Sequence, residues 1–113
     1  MRRLYARFVA LVRDCGPVTI LPQKSRVAFQ VRMRFAAVTP RRSCLQGHLV
    51  LAHPVRAACF ERVESLSARS HLHRFRLDGE DRITPEFAAW VAEAYKVGRQ
   101  EHLVGVPTRQ AGG

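Results

Sequence analysis

The chain has 113 residues, 47% apolar and 25% charged, the length and balance of one globular domain that buries a core without disulfides or metal, which excludes a disordered chain. Its formal net charge of +10 favours a polyanionic partner, whether nucleic acid, an acidic protein or an anionic ligand. Cys15, Cys44 and Cys59 are odd in number and lack C-x-x-C spacing, so they read as free thiols in a cytoplasmic compartment. They support neither a disulfide framework nor a zinc knuckle.

Leu4, Phe8, Leu11 and Val12 recur at helical spacing and Gly16-Pro17 is a stop signal, which predicts an amphipathic helix over 2–14. Arg7 and Arg13 interrupt it, so it reads as neither a signal segment nor a membrane span. Arg2 and Arg3 at its start oppose the helix dipole. From Val18 to His53 the period changes to two, the pattern of a β-meander. Val18 and Ile20 predict a short strand ending near Pro22. Val27, Phe29, Val31, Met33 and Phe35 then alternate with Arg26, Gln30, Arg32 and Arg34. That run is long for one strand and is expected to fold back near residues 32–34. Residues 35–40 and 44–51 form the next hairpin, with Leu45, Leu49 and Leu51 on one face.

Two further strands are read at 62–67 and 71–77, the second placing His71, His73, Phe75 and Leu77 on one face and Leu72, Arg74 and Arg76 on the other. Thr84, Pro85 and Glu86 supply an N-cap, an N1 proline and an early acid for a helix from 85 to about 97. The order of elements predicts an α+β domain: an antiparallel sheet of about five strands, with an N-terminal and a C-terminal helix on one face. Residues 1–106 are read as this single domain and 107–113, with Pro107, Gly112 and Gly113, as a frayed tail.

The charge is unevenly placed. Residues 1–60 carry eleven basic side chains against one acid, Asp14, whereas residues 61–113 carry eight of each. Strand parity puts Arg26, Arg32 or Arg34, Arg74 and Arg76 on the face away from the apolar residues, and Arg41 and Arg42 in the adjoining turn. Such an array can neutralise phosphates, although long arginines also cover sheet surfaces with no partner. Phe29, Phe35 and Phe75 fall on the buried parity, so this face lacks rings on which bases could stack.

His71 and His73 point the same way and could supply two metal ligands, but they share their face with Phe75 and Leu77 and no acid or cysteine is spaced to join them. They read as hydrogen-bonded core histidines, and no metal or cofactor is assigned. His48, His53 and His102 are isolated. Asp78, Glu80 and Asp81 flank Gly79 in a turn rather than forming a catalytic pair. No nucleophile elbow, P-loop or dinucleotide fingerprint occurs.

Cys15-Gly16-Pro17-Val18 after an amphipathic helix, Lys24-Ser25-Arg26-Val27-Ala28-Phe29, Arg34-Phe35-Ala36 and the closing 90–98 stretch with Glu93-Ala94-Tyr95 together resemble the bacterial family of domain of unknown function 5655. The resemblance covers nearly the whole chain and implies a compact α+β domain, sometimes fused to nuclease-like modules. It carries no catalytic residue set.

Three readings follow. The first is a non-catalytic accessory module binding a polyanion, nucleic-acid backbone or an acidic protein, through Arg26, Arg32, Arg34, Arg41, Arg42, Arg74 and Arg76. The second is a small-ligand or enzymatic domain with a pocket between sheet and helices lined by His71, His73, Trp90 and Tyr95. The third is a protein-interaction or dimerisation module using a sheet edge or face.

Overall fold

The computed structural model describes residues 2–100; the tail expected over 107–113, and His102, lie outside the described residues. Helix α1 spans Arg2–Cys15 and buries Leu4, Phe8 and Val12, one residue per turn on a single face. It stops at Gly16, whose φ of 144° is a conformation that side-chain-bearing residues rarely adopt.

Six strands follow: β1 (Thr19–Pro22), β2 (Val27–Gln30), β3 (Arg34–Pro40), β4 (Leu45–Leu51), β5 (Phe60–Ser67) and β6 (Ser70–Leu77). They form one antiparallel sheet in the order β1-β2-β3-β4-β6-β5. The sheet therefore has one strand more than the expected five or so. The long alternating run does turn back, and its second part continues to Pro40 as a strand of its own. Between them the β2–β3 register shifts at Phe29/Gln30, where Phe29 faces Ala36 and Gln30 faces Arg34. Phe35 is the extra residue of that irregularity. A bulge of this kind lets two successive residues turn to one side, and both Phe35 and Ala36 are buried.

Strand β6 lies between β4 and β5, so residues 52–59 must carry the chain past it. Helix α2 spans Pro85–Gly98 and begins as its sequence dictates: Thr84 caps it by accepting a 3.0 Å hydrogen bond from Phe87 N–H, and Pro85 occupies the first turn. A 3₁₀ turn at Glu80–Arg82 precedes it. Glu80 there meets Arg7 at 3.6 Å and Arg3 at 4.0 Å, which gives these two arginines of α1 a carboxylate to face.

Both helices cover one face of the sheet. The Phe8 ring lies 5.4 Å from Phe29, 5.8 Å from Phe75 and 6.3 Å from Phe87, joining α1, two strands and α2 in one aromatic cluster. Phe8, Phe29, Phe35, Phe75 and Phe87 are all essentially inaccessible. Burying each contributes roughly 1.5–3 kcal/mol relative to exposure, so this cluster sets where the helices dock. Among the described residues no helix is long and apolar enough to cross a membrane.

Candidate anion-binding face

The face turned away from the helices is organised by one row of facing residues across all six strands: Leu21, Ala28, Ala37, His48, Arg74 and Arg62. Opposite residues in antiparallel strands share a face. The two alanines in mid-row leave a dip between longer neighbours. A concavity of about 170 Å³ lies there, with Ala37 and Gly47 in its lining and Arg26, Arg41, His48 and Arg74 around it, together with Thr39, Gln46 and Glu61. Arg26 immediately precedes β2 and Arg41 immediately follows β3. Because Val27 faces Val38, antiparallel pairing brings those two chain ends to the same end of the sheet.

A second, more open hollow of about 470 Å³ shares Arg26, Thr39 and Arg41 with the first and adds Lys24 and Ser25. Arg26 Nε donates to Gln23 Oε1 at 3.1 Å, and Arg41 Nε to Gln46 Oε1 at 3.0 Å. Each guanidinium is thus oriented by a neutral amide, which leaves its charge available to an anion. Arg74 differs: its Nε is 3.6 Å from Glu64 Oε2, the same oxygen that Arg62 Nε approaches at 3.0 Å.

His48 sits in the centre of this array. Burial, and then the charges of Arg26 and Arg74, hold its pKa down at about 4 against a smaller opposing pull from Glu64. Its imidazole is therefore neutral near pH 7, able to donate one hydrogen bond and accept another.

Of the seven arginines expected on or beside this face, the structure brings Arg26, Arg41 and Arg74 together. Arg76 lies on the same face, opposite Gln46, but borders a different hollow with Glu61, Asp78 and Arg82. Arg42 is exposed in the β3–β4 turn. Arg34 begins β3, about 20 Å from Arg41 at the usual rise per residue, and Arg32 belongs to the preceding turn, where its N–H donates to Gly98 O at 2.9 Å. Sequence reasoning missed Lys24, Thr39, Gln46 and His48. The signal for the last two was present: with Leu45, Leu49 and Leu51 inside, Gln46 and His48 must point out. Phe29 and Phe35 are fully buried, and Phe75, although it reaches the lining of the concavity, is only 1% exposed. None offers a ring for stacking.

The second set of residues is divided. His73 is fully buried; its Nε2 accepts from Val55 N–H at 2.9 Å and its Nδ1 lies 2.8 Å from His71 O. The acceptor role of Nε2 assigns the proton to Nδ1. Both nitrogens are occupied and fasten the 52–59 connection to β6. Burial lowers the His73 pKa, which keeps that tautomer neutral. His71 Nδ1 is 3.0 Å from Ser65 Oγ. Phe60 bridges His73 and Trp90, with ring centroids 4.9 Å from each. Trp90 also borders a hollow with Ala57, Cys59, Thr84 and Glu86. Tyr95 is turned elsewhere, its ring edge-on to Phe35 at 5.7 Å and its hydroxyl on Pro17.

Among the described residues no group of three or more His, Cys, Asp or Glu is arranged to hold a metal ion. Burial raises the pKa of Cys15 and of Cys59, the opposite of what an activated thiolate requires. Asp78 pairs with Arg82 at 3.1 Å and Glu80 with α1, so the acidic turn is spent on structure.

A family model described as Domain of unknown function (DUF5655) matches residues 1–98. No curated protein and no solved structure matches the chain.

Proposed function

The chain belongs to the DUF5655 family, and from that premise we propose that it is a non-catalytic accessory module whose open sheet face binds the phosphate backbone of a nucleic acid. The observation that carries this reading is the convergence of Arg26, Arg41 and Arg74 on one concavity beside neutral His48. A phosphate seated there meets three guanidinium groups and the polar side chains of Thr39 and Gln46, while Lys24 in the adjoining hollow meets the next charge along the chain. Guanidinium forks match phosphate oxygens in bidentate geometry.

Recognition of this kind holds a backbone with little reading of bases, because among the described residues no exposed Phe, Tyr or Trp ring lines either hollow. Its three free cysteines fit a cytoplasmic setting. The test is fluorescence anisotropy with generic single-stranded and duplex oligonucleotides across a salt series. Neutralising about two phosphates gives log affinity falling against log salt with a slope between about −1.4 and −1.8. A salt-independent interaction, or none at low salt, removes the reading.

A further inference from the structure

The two edges of the sheet are unlike. β1 is four residues long and ends in Pro22, the short, proline-bearing edge that resists pairing. β5 at the other edge is eight residues long, contains neither proline nor lysine, and has no fully buried residue. Its pairing with β6 is irregular at Phe60/Arg62 and at Ser65/Ser67, but residues 62–65 between them are regular. The exposed large hydrophobics among the described residues, Val63 at 38% and Leu66 at 56%, both belong to β5. Helix α2 stands mainly over β3 and β4. Along its outer side β5 presents backbone donors and acceptors that no strand among the described residues pairs.

The order of side chains selects the occupant. Consider antiparallel pairing of β5 with a second β5 about a two-fold axis through Val63. Val63 then faces Val63, Arg62 faces Glu64 and Glu64 faces Arg62. An axis through Arg62 or Glu64 would set like charges face to face, which is repulsive at cross-strand separation. An axis midway between Val63 and Glu64 would oppose Val63, on the helix side, to Glu64, on the open side. Only the Val63 axis pairs opposite charges, buries the exposed valine and keeps both helix layers on one side. The Glu64 carboxylate is already held on the open side, 3.0 Å from Arg62 and 3.6 Å from Arg74. A partner arginine completes an alternating charge ring on that side.

We propose that β5 is a homodimerisation edge: two copies join antiparallel through residues 62–64, with the two-fold at Val63, to make one continuous sheet. Edge pairing buries less than a standard interface, so the dimer is concentration-dependent. Its charge ring makes it weaken as salt rises. The joined sheet presents both arginine-lined concavities on the same side, a geometry that stands whether or not they bind nucleic acid.

The test is sedimentation equilibrium of the full chain from micromolar to millimolar concentration at low salt. Wild type is expected to dimerise. Arg62→Glu and Glu64→Arg each create facing like charges and are expected to weaken association at least tenfold. An equimolar mixture of the two variants is expected to recover it as a heterodimer, since the acids at positions 62 and 64 of one chain then face the arginines at positions 64 and 62 of the other. Far-UV circular dichroism of each variant verifies folding. Amide chemical shifts of wild type, followed on dilution, give a readout that needs no variant: changes are expected at residues 62–64. A wild-type chain that stays monomeric at millimolar concentration overturns the proposal. So do folded single variants that associate like wild type, a folded mixture that fails to associate, and dilution shifts confined to other elements.

Discussion

The hydroxyl of Tyr95 donates a 2.7 Å hydrogen bond to the carbonyl oxygen of Pro17, tying α2 to the turn that closes α1. The turn is shaped around the tyrosine: a β-carbon on Gly16 would stand 2.5 Å from that hydroxyl oxygen. Tyr95→Phe keeps the ring against Phe35 but strands a part-buried carbonyl. The expected loss is about 1–2 kcal/mol, read as a thermal midpoint lower by several degrees. An unchanged midpoint would mean that water replaces the hydroxyl at no cost.

Gly47 allows β4 to lie close under the Phe75 ring. A β-carbon there would overlap the Ala37 carbonyl oxygen and approach Phe75 Cζ at 2.9 Å and Val38 Cγ1 at 3.0 Å. Backbone on one side and the aromatic cluster on the other leave no flexible neighbour to yield. Gly47→Ala is therefore expected to destabilise by about 1–3 kcal/mol in urea unfolding, despite alanine's lower chain entropy. A neutral or stabilising result would show that the sheet opens locally at little cost.

Acid acts on stability and on binding in opposite directions. His48 has a folded-state pKa of about 4, below its unfolded value near 6.5, and His73 is lowered as well. The fold favours the neutral forms, so their contribution is complete above about pH 6.5 and is lost as pH falls toward 4. For His48 the loss is at most about 3 kcal/mol. Urea midpoints should fall over that window, and His48→Gln should flatten part of the slope. An anion beside Arg26 and Arg74 offsets their repulsion of the imidazolium and lifts the His48 pKa. Binding then takes up a proton, and oligonucleotide affinity should rise as pH drops below 6 while the chain remains folded. A pH-independent affinity in the wild type would remove His48 from the site.

Much of this architecture is written locally. Thr84-Pro85-Glu86 announces α2 because capping is a matter of adjacent residues, and the β6 alternation separates His73 and Phe75 from Arg74 and Arg76 because a strand's period is two. The bulge at Phe35 is not local: it exists because Tyr95 and Gly98 of α2 wait on the helix side for a ring that strict alternation with Ala36 and Val38 would turn outward. The site is legible by half. Parity tells which face an arginine shares, but not which end of the sheet it occupies, and it is strand pairing that gathers Arg26, Arg41 and Arg74 while leaving Arg32 and Arg34 at the far end. His48 belongs to no motif. It matters through the company that four other strands and turns give it.

That separation yields a comparison within one protein. Arg26→Glu and Arg74→Glu are each expected to weaken oligonucleotide binding about tenfold or more and to lower the salt slope by roughly one. Arg32→Glu and Arg34→Glu carry the same change in net charge and should cost only a few-fold. Equal losses at all four positions would indicate bulk attraction rather than a site.

The meeting of Phe8 with Phe87 has a consequence for the order of events during synthesis. Helix α1 emerges from the ribosome long before α2, and the sheet between them is complete while α2 is still missing from the layer that covers it. Phe35 must wait for Tyr95, and Phe75, covered on one side by Phe8, for Phe87. Nascent chains stalled ahead of α2 should therefore engage chaperones, and release when α2 is free of the exit tunnel.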